Sequence, residues 1–191
     1  AATLEAKLDA GRRAQAAWRA EPRERRAELL DAFVDRVVAD APRLGDELTW
    51  QMGRPRGQTS GEIAGFEERA RAMIRIGGEV LADLTLPDAP GFTRWIRREP
   101  LGLVLVLAPW NYPWLTAVNT VVPALMAGNA VLLKHSDQTP LVAERMVEHA
   151  LAAGLPEGVF DSLHLSHARV ADAVADPRVD FVAFTGSVPG G

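Results

Sequence analysis

A chain of 191 residues with 48% hydrophobic and 24% charged residues has the profile of a soluble globular protein, long enough for one domain with a real core or for one domain plus an appended element. Its net charge of −4 argues against general affinity for nucleic acid or acidic membrane, and no run approaches the about 18 apolar residues of a transmembrane helix. No charged-then-apolar leader opens the sequence, so a cytoplasmic location is the expectation. Cysteine is absent, which excludes disulfides, thiolate metal sites and a thiol nucleophile within these residues. The histidines, His135, His149, His164 and His167, form no HExxH-type pair, and no metal is expected.

The amino-terminal part reads as helices. Leu29, Leu30, Phe33, Val34, Val37 and Val38 recur at helical spacing, with "RERR" and the intervening acids on the other face. Pro42 is placed to start a helix and Gly53 to end it. Thr59 to Glu62, "TSGE", matches a capping box, behind which Ile63, Phe66, Ala70, Met73, Ile74 and Leu81 form a further apolar stripe. The arginine-rich face is most simply a solvated helix surface. From Leu84 to Glu99, two short extended segments around a Pro/Gly-rich turn predict a projecting hairpin.

After Pro100, strands and helices alternate. Leu103 to Ala108 reads as a strand, Leu115 to Met126 as a helix, Ala130 to Leu133 as a strand and Leu141 to Ala153 as a helix closed by Gly154. "VFDSLHL" predicts a third strand, "SHARVADAVAD" a short helix and "DFVAFTG" a fourth strand. This alternation predicts βαβ units and a parallel sheet, in which ligands collect at the carboxyl ends of the strands. Asn111, Lys134 and Gly186 each follow such an end, which places them along one edge of the sheet.

Each of these residues has a structural and a chemical reading. "FTGSVPGG" is either a glycine-rich turn or a close backbone approach to a phosphate, although it matches neither GxGxxG nor a P-loop. Lys134 is either an edge lysine or a ligand-binding cation, and Asp137 either bonds ribose hydroxyls or orients the turn before Thr139-Pro140. Asn111, in a stiff Trp-Asn-Tyr-Pro turn, either caps the next helix or presents an amide donor to an oxyanion, a dipole fixed before charge develops.

Taken together and in this order, "PWNYP", "KHSDQTP" and "FTGSVPGG" resemble the motifs of the aldehyde dehydrogenase superfamily. "EPLGLVLVLAPWNYP", "PALMAGNAVLLK" and "AAGLPEGVF" are similar to its connecting sequences, and the likeness runs from about Glu47. The resemblance implies an α/β fold, a parallel-sheet Rossmann-like nucleotide-binding domain with an amino-terminal helical layer (1–83), a bridging hairpin for subunit pairing (84–99) and an incomplete βαβ core (100–191). It implies that Asn111 stabilises the thiohemiacetal and thioester oxyanion, that Lys134 and Asp137 hold the adenosine ribose, and that Gly186, Ser187 and Gly191 lie beside the pyrophosphate. Backbone around Trp110 lines the cofactor groove on this view, while Tyr112, Thr116 and Asn119 face a polar or short aldehyde.

The implied cofactor is NAD, with NADP the alternative. Asp137 stands where NAD-preferring relatives more usually have Glu; its charge still opposes a 2′-phosphate, but the side chain is shorter. The implied partners are a small-molecule aldehyde and further copies of the subunit, with no nucleic acid and no membrane. The family's cysteine nucleophile and glutamate base fall later than the glycine motif, so the expectation is the amino-terminal portion of a longer enzyme, inactive alone. The other reading is a catalytically inactive nucleotide-binding or assembly module of the same fold.

Overall fold

The computed structural model describes residues 2–87 and 89–191. Four helices come first: α1 (Ala2–Trp18), α2 (Arg23–Ala39), α3 (Ala41–Met52) and α4 (Arg56–Val80). Pro42 sits in the first turn of α3, and Gly53 stops the helix in the left-handed region at φ 74°, a conformation glycine adopts without a Cβ penalty. α4 then starts directly after Pro55. The capping box expected at Thr59–Glu62 is therefore not one: these residues lie inside α4, with the Thr59 hydroxyl donating back to the Arg56 carbonyl at 2.9 Å. Pro55, pre-set at φ −55°, begins the helix a turn earlier, and Glu62 is engaged by another element.

β1 (Leu84–Thr85) and β2 (Trp95–Ile96) form an antiparallel ribbon, Leu84 opposite Ile96 and Thr85 opposite Trp95, exposed on both strands. A ribbon this short does not hold itself. Arg97 pairs with Asp83 at 2.9 Å, and Arg98 donates to the Ala82 carbonyl at 2.7 Å, fastening it to the end of α4. The expected hairpin is thus present; Asp88 within it lies outside the described residues.

The rest alternates: β3 (Leu103–Ala108), α5 (Pro113–Met126), β4 (Ala130–His135), α6 (Pro140–Ala152), β5 (Phe160–Leu163), α7 (His167–Ala175) and β6 (Phe181–Phe184), then a single 3-10 turn at Val188–Gly190. All four long strands are parallel, in the order β5-β4-β3-β6. Alternate residues of β3 enter two separate cores. Val104, Val106 and Ala108 pack with Phe33, Phe66, Val121 and Met146 under α2, α4, α5 and α6, while Leu103 and Leu105 pack with Leu4, Leu8 and Ala173 under α1 and α7. A strand buried on both faces must be apolar throughout, which is why β3 reads as an unbroken run.

One glycine is required where the sheet begins. Gly102 has φ 136°, and a Cβ there would come within 2.0 Å of Asp180 Oδ2, the atom that accepts from the Leu103 N–H at 2.7 Å. β4 extends two residues beyond the expected Leu133, through Lys134 and His135, so Lys134 lies within the strand rather than past it. Pairing with β3 continues to Ala108↔His135, because both buried polar side chains find partners, Lys134 the Asp137 carboxylate and His135 the Thr139 hydroxyl.

Candidate functional site

The register brings the strand ends level. Lys134, Leu107 and Phe184 stand in one row across β4, β3 and β6, and in a parallel sheet such a row shares a face. That face is the one covered by α7. The loops leaving the row are tied to it: the Ser136 N–H donates to the Ala108 carbonyl at 2.9 Å, and the Thr185 N–H to the Leu107 carbonyl at 3.0 Å.

Between these loops and α7 lies an open cleft of ≈ 710 Å³. Trp110, Asn111, Lys134, Gly186 and Ser187 line it, so most of the residues singled out from sequence converge there. Asp137 reaches it through Lys134, whose Nζ donates to the carboxylate at 2.9 Å. The Lys134 side chain is 7% exposed and that of Asp137 66%. The lysine is thus a fixed buried cation, and the carboxylate keeps a side open to solvent. The Lys134 hydrogen bond holds the Asp137 carboxyl below its ordinary range, outweighing partial desolvation, so it is charged at neutral pH.

The glycine segment forms the opposite wall. The ring of Phe184 lies beneath it, 2.5 Å from where a Gly186 Cβ would stand, so the loop lies flat on the ring only because that position is glycine. Ser187 leads into the 3-10 turn, and Gly191 follows it outside the residues that line the cleft.

His135, next to Lys134, lies on the other face of β4. Its Nδ1 accepts from the Ser136 N–H at 3.0 Å and pairs with the Thr139 hydroxyl at 2.9 Å, while Nε2 meets the Pro113 carbonyl at 3.2 Å. A backbone N–H on Nδ1 leaves the proton on Nε2, which donates to Pro113. Burial, ahead of the nearby Lys134 charge, pushes the imidazole down to about 4. The strand that supplies Lys134 to the cleft is thereby fastened to the turn that carries Asn111.

Tyr112, at the N-cap of α5, and Thr116 and Asn119 within its first turns lie outside the cleft residues. The Arg54 guanidinium lies 4.7 Å above the Tyr112 ring, and Arg69 donates to Asn119 Oδ1 at 3.3 Å. Sequence reasoning passed over Ser136, His167, Val170 and Phe184 in the cleft and over Arg54 and Glu62 beside it. For Glu62 a signal exists: a carboxylate on the stripe of Ile63, Phe66, Ala70 and Ile74 has to be explained by a partner. The capping-box pattern concealed it.

Compared with known families, residues 1–191 match the model of the aldehyde dehydrogenase family along their whole length. The chain belongs to the aldehyde dehydrogenase family. The likeness begins at the first residue, not at Glu47. Among curated aldehyde dehydrogenases, the betaine aldehyde dehydrogenase of Cereibacter sphaeroides is 38% identical over 192 residues, covering 100% of this chain and 39% of that protein. The 3,6-anhydro-alpha-L-galactose dehydrogenase of Streptomyces coelicolor is 34% identical, covering 99% of this chain and 38% of that protein. The chain therefore spans well under half the length of these relatives. The solved NAD-dependent aldehyde dehydrogenase of Sinorhizobium meliloti superposes with a TM-score of 0.93 at 30% identity, over 99% of this chain and 38% of that one. An NADP-dependent glyceraldehyde-3-phosphate dehydrogenase from Bacillus halodurans, complexed with NADP, gives 0.89 at 28% identity, over 97% of this chain and 40% of that one.

Proposed function

We propose that this chain is the cofactor-binding part of an NAD(P)-dependent aldehyde dehydrogenase that oxidises an aldehyde to a carboxylic acid. The observation that carries the reading is the level row of strand ends, with buried Lys134 and the Gly186 loop on either side of the strand that leads into the Asn111 turn. The donor set suits a dinucleotide: Lys134 donates to ribose hydroxyls, Asp137 accepts from them, and the backbone at Gly186, Ser187 and Gly191 approaches the pyrophosphate. Leu107, Val170 and Phe184 supply apolar walls, and backbone at Trp110 borders the groove. Bound there, NAD or NADP supplies the hydride acceptor.

Asn111 provides an uncharged amide donor to the aldehyde oxygen as negative charge develops on it, when a nucleophile adds to the carbonyl carbon. The family's nucleophile is a cysteine that adds as a thiolate to give a thiohemiacetal, and none of these 191 residues is a cysteine. Tyr112, Thr116 and Asn119 present polar atoms towards the substrate, favouring a polar or short aldehyde. The exposed ribbon within 84–99 pairs subunits, and 1–83 and 100–191 together form the cofactor-binding unit.

The test uses the complete enzyme. Asn111→Ala is expected to lower kcat by roughly 10² to 10³ with NAD dissociation unchanged, the usual effect of deleting one oxyanion donor. Asp137→Ser is expected to shift the kcat/KM ratio towards NADP, because it removes the charge that opposes a 2′-phosphate. Unchanged turnover in the first variant removes Asn111 from the mechanism, and an unchanged ratio in the second removes Asp137 from cofactor choice. Cofactor binding without any aldehyde oxidation supports the inactive-module reading instead.

A further inference from the structure

The turn that carries Asn111 is not held by its own residues. α5 begins at Pro113, and Tyr112 at its N-cap supplies no side-chain cap. Proline has no N–H, so the first donor left to satisfy is the Trp114 amide. It donates at 2.8 Å to Oε1 of Glu62, on α4. The Glu62 side chain is 1% exposed, and its other oxygen forms an ion pair with Arg54, itself 11% exposed. The same guanidinium donates from Nη2 to the Asn111 carbonyl at 2.5 Å and covers the Tyr112 ring.

These contacts form one device. A carboxylate at a helix start is favoured by the free N–H groups and the helix dipole, and a carboxylate this buried persists only with a paired cation. Arg54 meets that requirement through Nη1, and its Nη2 donates to the carbonyl of Asn111 itself. Core packing has no need of the charge, since the neighbouring stripe of α4 is apolar.

We propose that Arg54 and Glu62 are positioning residues for Asn111, a clamp spanning 111–114 that fixes the amide before charge develops on the substrate oxygen. The inference rests on the role given to Asn111 above. Neither clamp residue touches the reacting atoms; both act through the backbone of the turn.

The test has two arms. In the 191-residue chain, hydrogen exchange is followed by mass spectrometry in peptides spanning 110–118 and, as reference, 103–108 and 130–135. Glu62→Leu is expected to accelerate exchange at the start of α5 by about tenfold or more with the reference strands unchanged, whereas Glu62→Gln, which keeps an acceptor for Trp114, retains most of the protection. In the complete enzyme, Arg54→Ala is expected to lower kcat by roughly 10- to 100-fold with the NAD dissociation constant held, and Arg54→Lys to recover most of it. Unchanged exchange in Glu62→Leu, or equal acceleration in the reference strands, overturns the clamp. A loosened turn with wild-type kcat overturns its link to Asn111. A wild-type enzyme that oxidises no aldehyde, in which the exchange response is still present, places the failure in the functional reading and not in the clamp.

Discussion

His135 enters the fold as a neutral ring, and that makes the turn it holds sensitive to acid. An unperturbed imidazole titrates near 6.5, while burial pushes His135 down to about 4. Between those values the unfolded chain takes up a proton that the folded chain refuses, so its contribution is complete above about pH 6.5 and is lost as pH falls towards about 4. At pH 5 the loss is expected to be about 2 kcal/mol relative to pH 7.5. Urea unfolding at the two pH values checks this against His135→Leu, in which the pH-dependent loss should shrink by that amount even though the variant is less stable throughout. An undiminished loss in the variant would assign the acid sensitivity to other groups. Lys134, one residue away, is legible in sequence because a lysine ending an apolar run is conspicuous; His135 is not, because only tertiary packing supplies its Pro113 and Thr139 partners.

At the scale of elements, the strands are legible where burial on both faces makes every residue apolar, as from Leu103 to Ala108. The rule fails at the end of β4, where two buried polar residues continue the ladder under cover of specific partners. It fails differently for α1, whose buried apolar contacts on the sheet come from Leu4 and Leu8 amid alanine and charge, so its packing on the face opposite α2 is not written in its periodicity. Helix-to-helix docking turns on Phe66, which meets Phe33 of α2 edge-on at 5.8 Å between centroids and Trp114 of α5 at 5.4 Å. All three rings are fully buried. Phe66→Ala is expected to cost about 3–5 kcal/mol, from lost transfer energy and the cavity between three helices, with Phe66→Leu costing less. Equilibrium denaturation measures it, and a loss below about 1 kcal/mol would show that α4 and α5 collapse onto one another without the ring.

For the molecule as a whole, the sheet has β6 as one edge, and Phe181 and Phe184 on it are nearly half exposed, with Val188 beyond them 95% exposed. An edge strand with free backbone groups and apolar side chains invites pairing with another chain. The 191-residue chain alone is therefore expected to self-associate, giving by light scattering at least twice the mass of one copy, and Phe181→Lys with Val188→Lys should reduce it. A monomer at the same concentration before mutation would contradict this. The site divides in the same way: Asn111, Lys134 and Gly186 could be read from strand ends in sequence order, whereas the Arg54–Glu62 pair beside α5 and the α7 wall exist only after the sheet has assembled. Asp137 differs from all of them, since it hangs largely in solvent and, among the described residues, its side chain bonds only to Lys134. The cost of a substitution there falls on Lys134, the buried cation it pairs, so a replacement that keeps a polar acceptor, such as Ser, is expected to be better tolerated than an apolar one. On the function proposed above, the choice between the two dinucleotides is open to a single substitution at the rim of the cleft, while the turn that carries Asn111 is locked behind a buried ion pair that few mutational steps can cross intact.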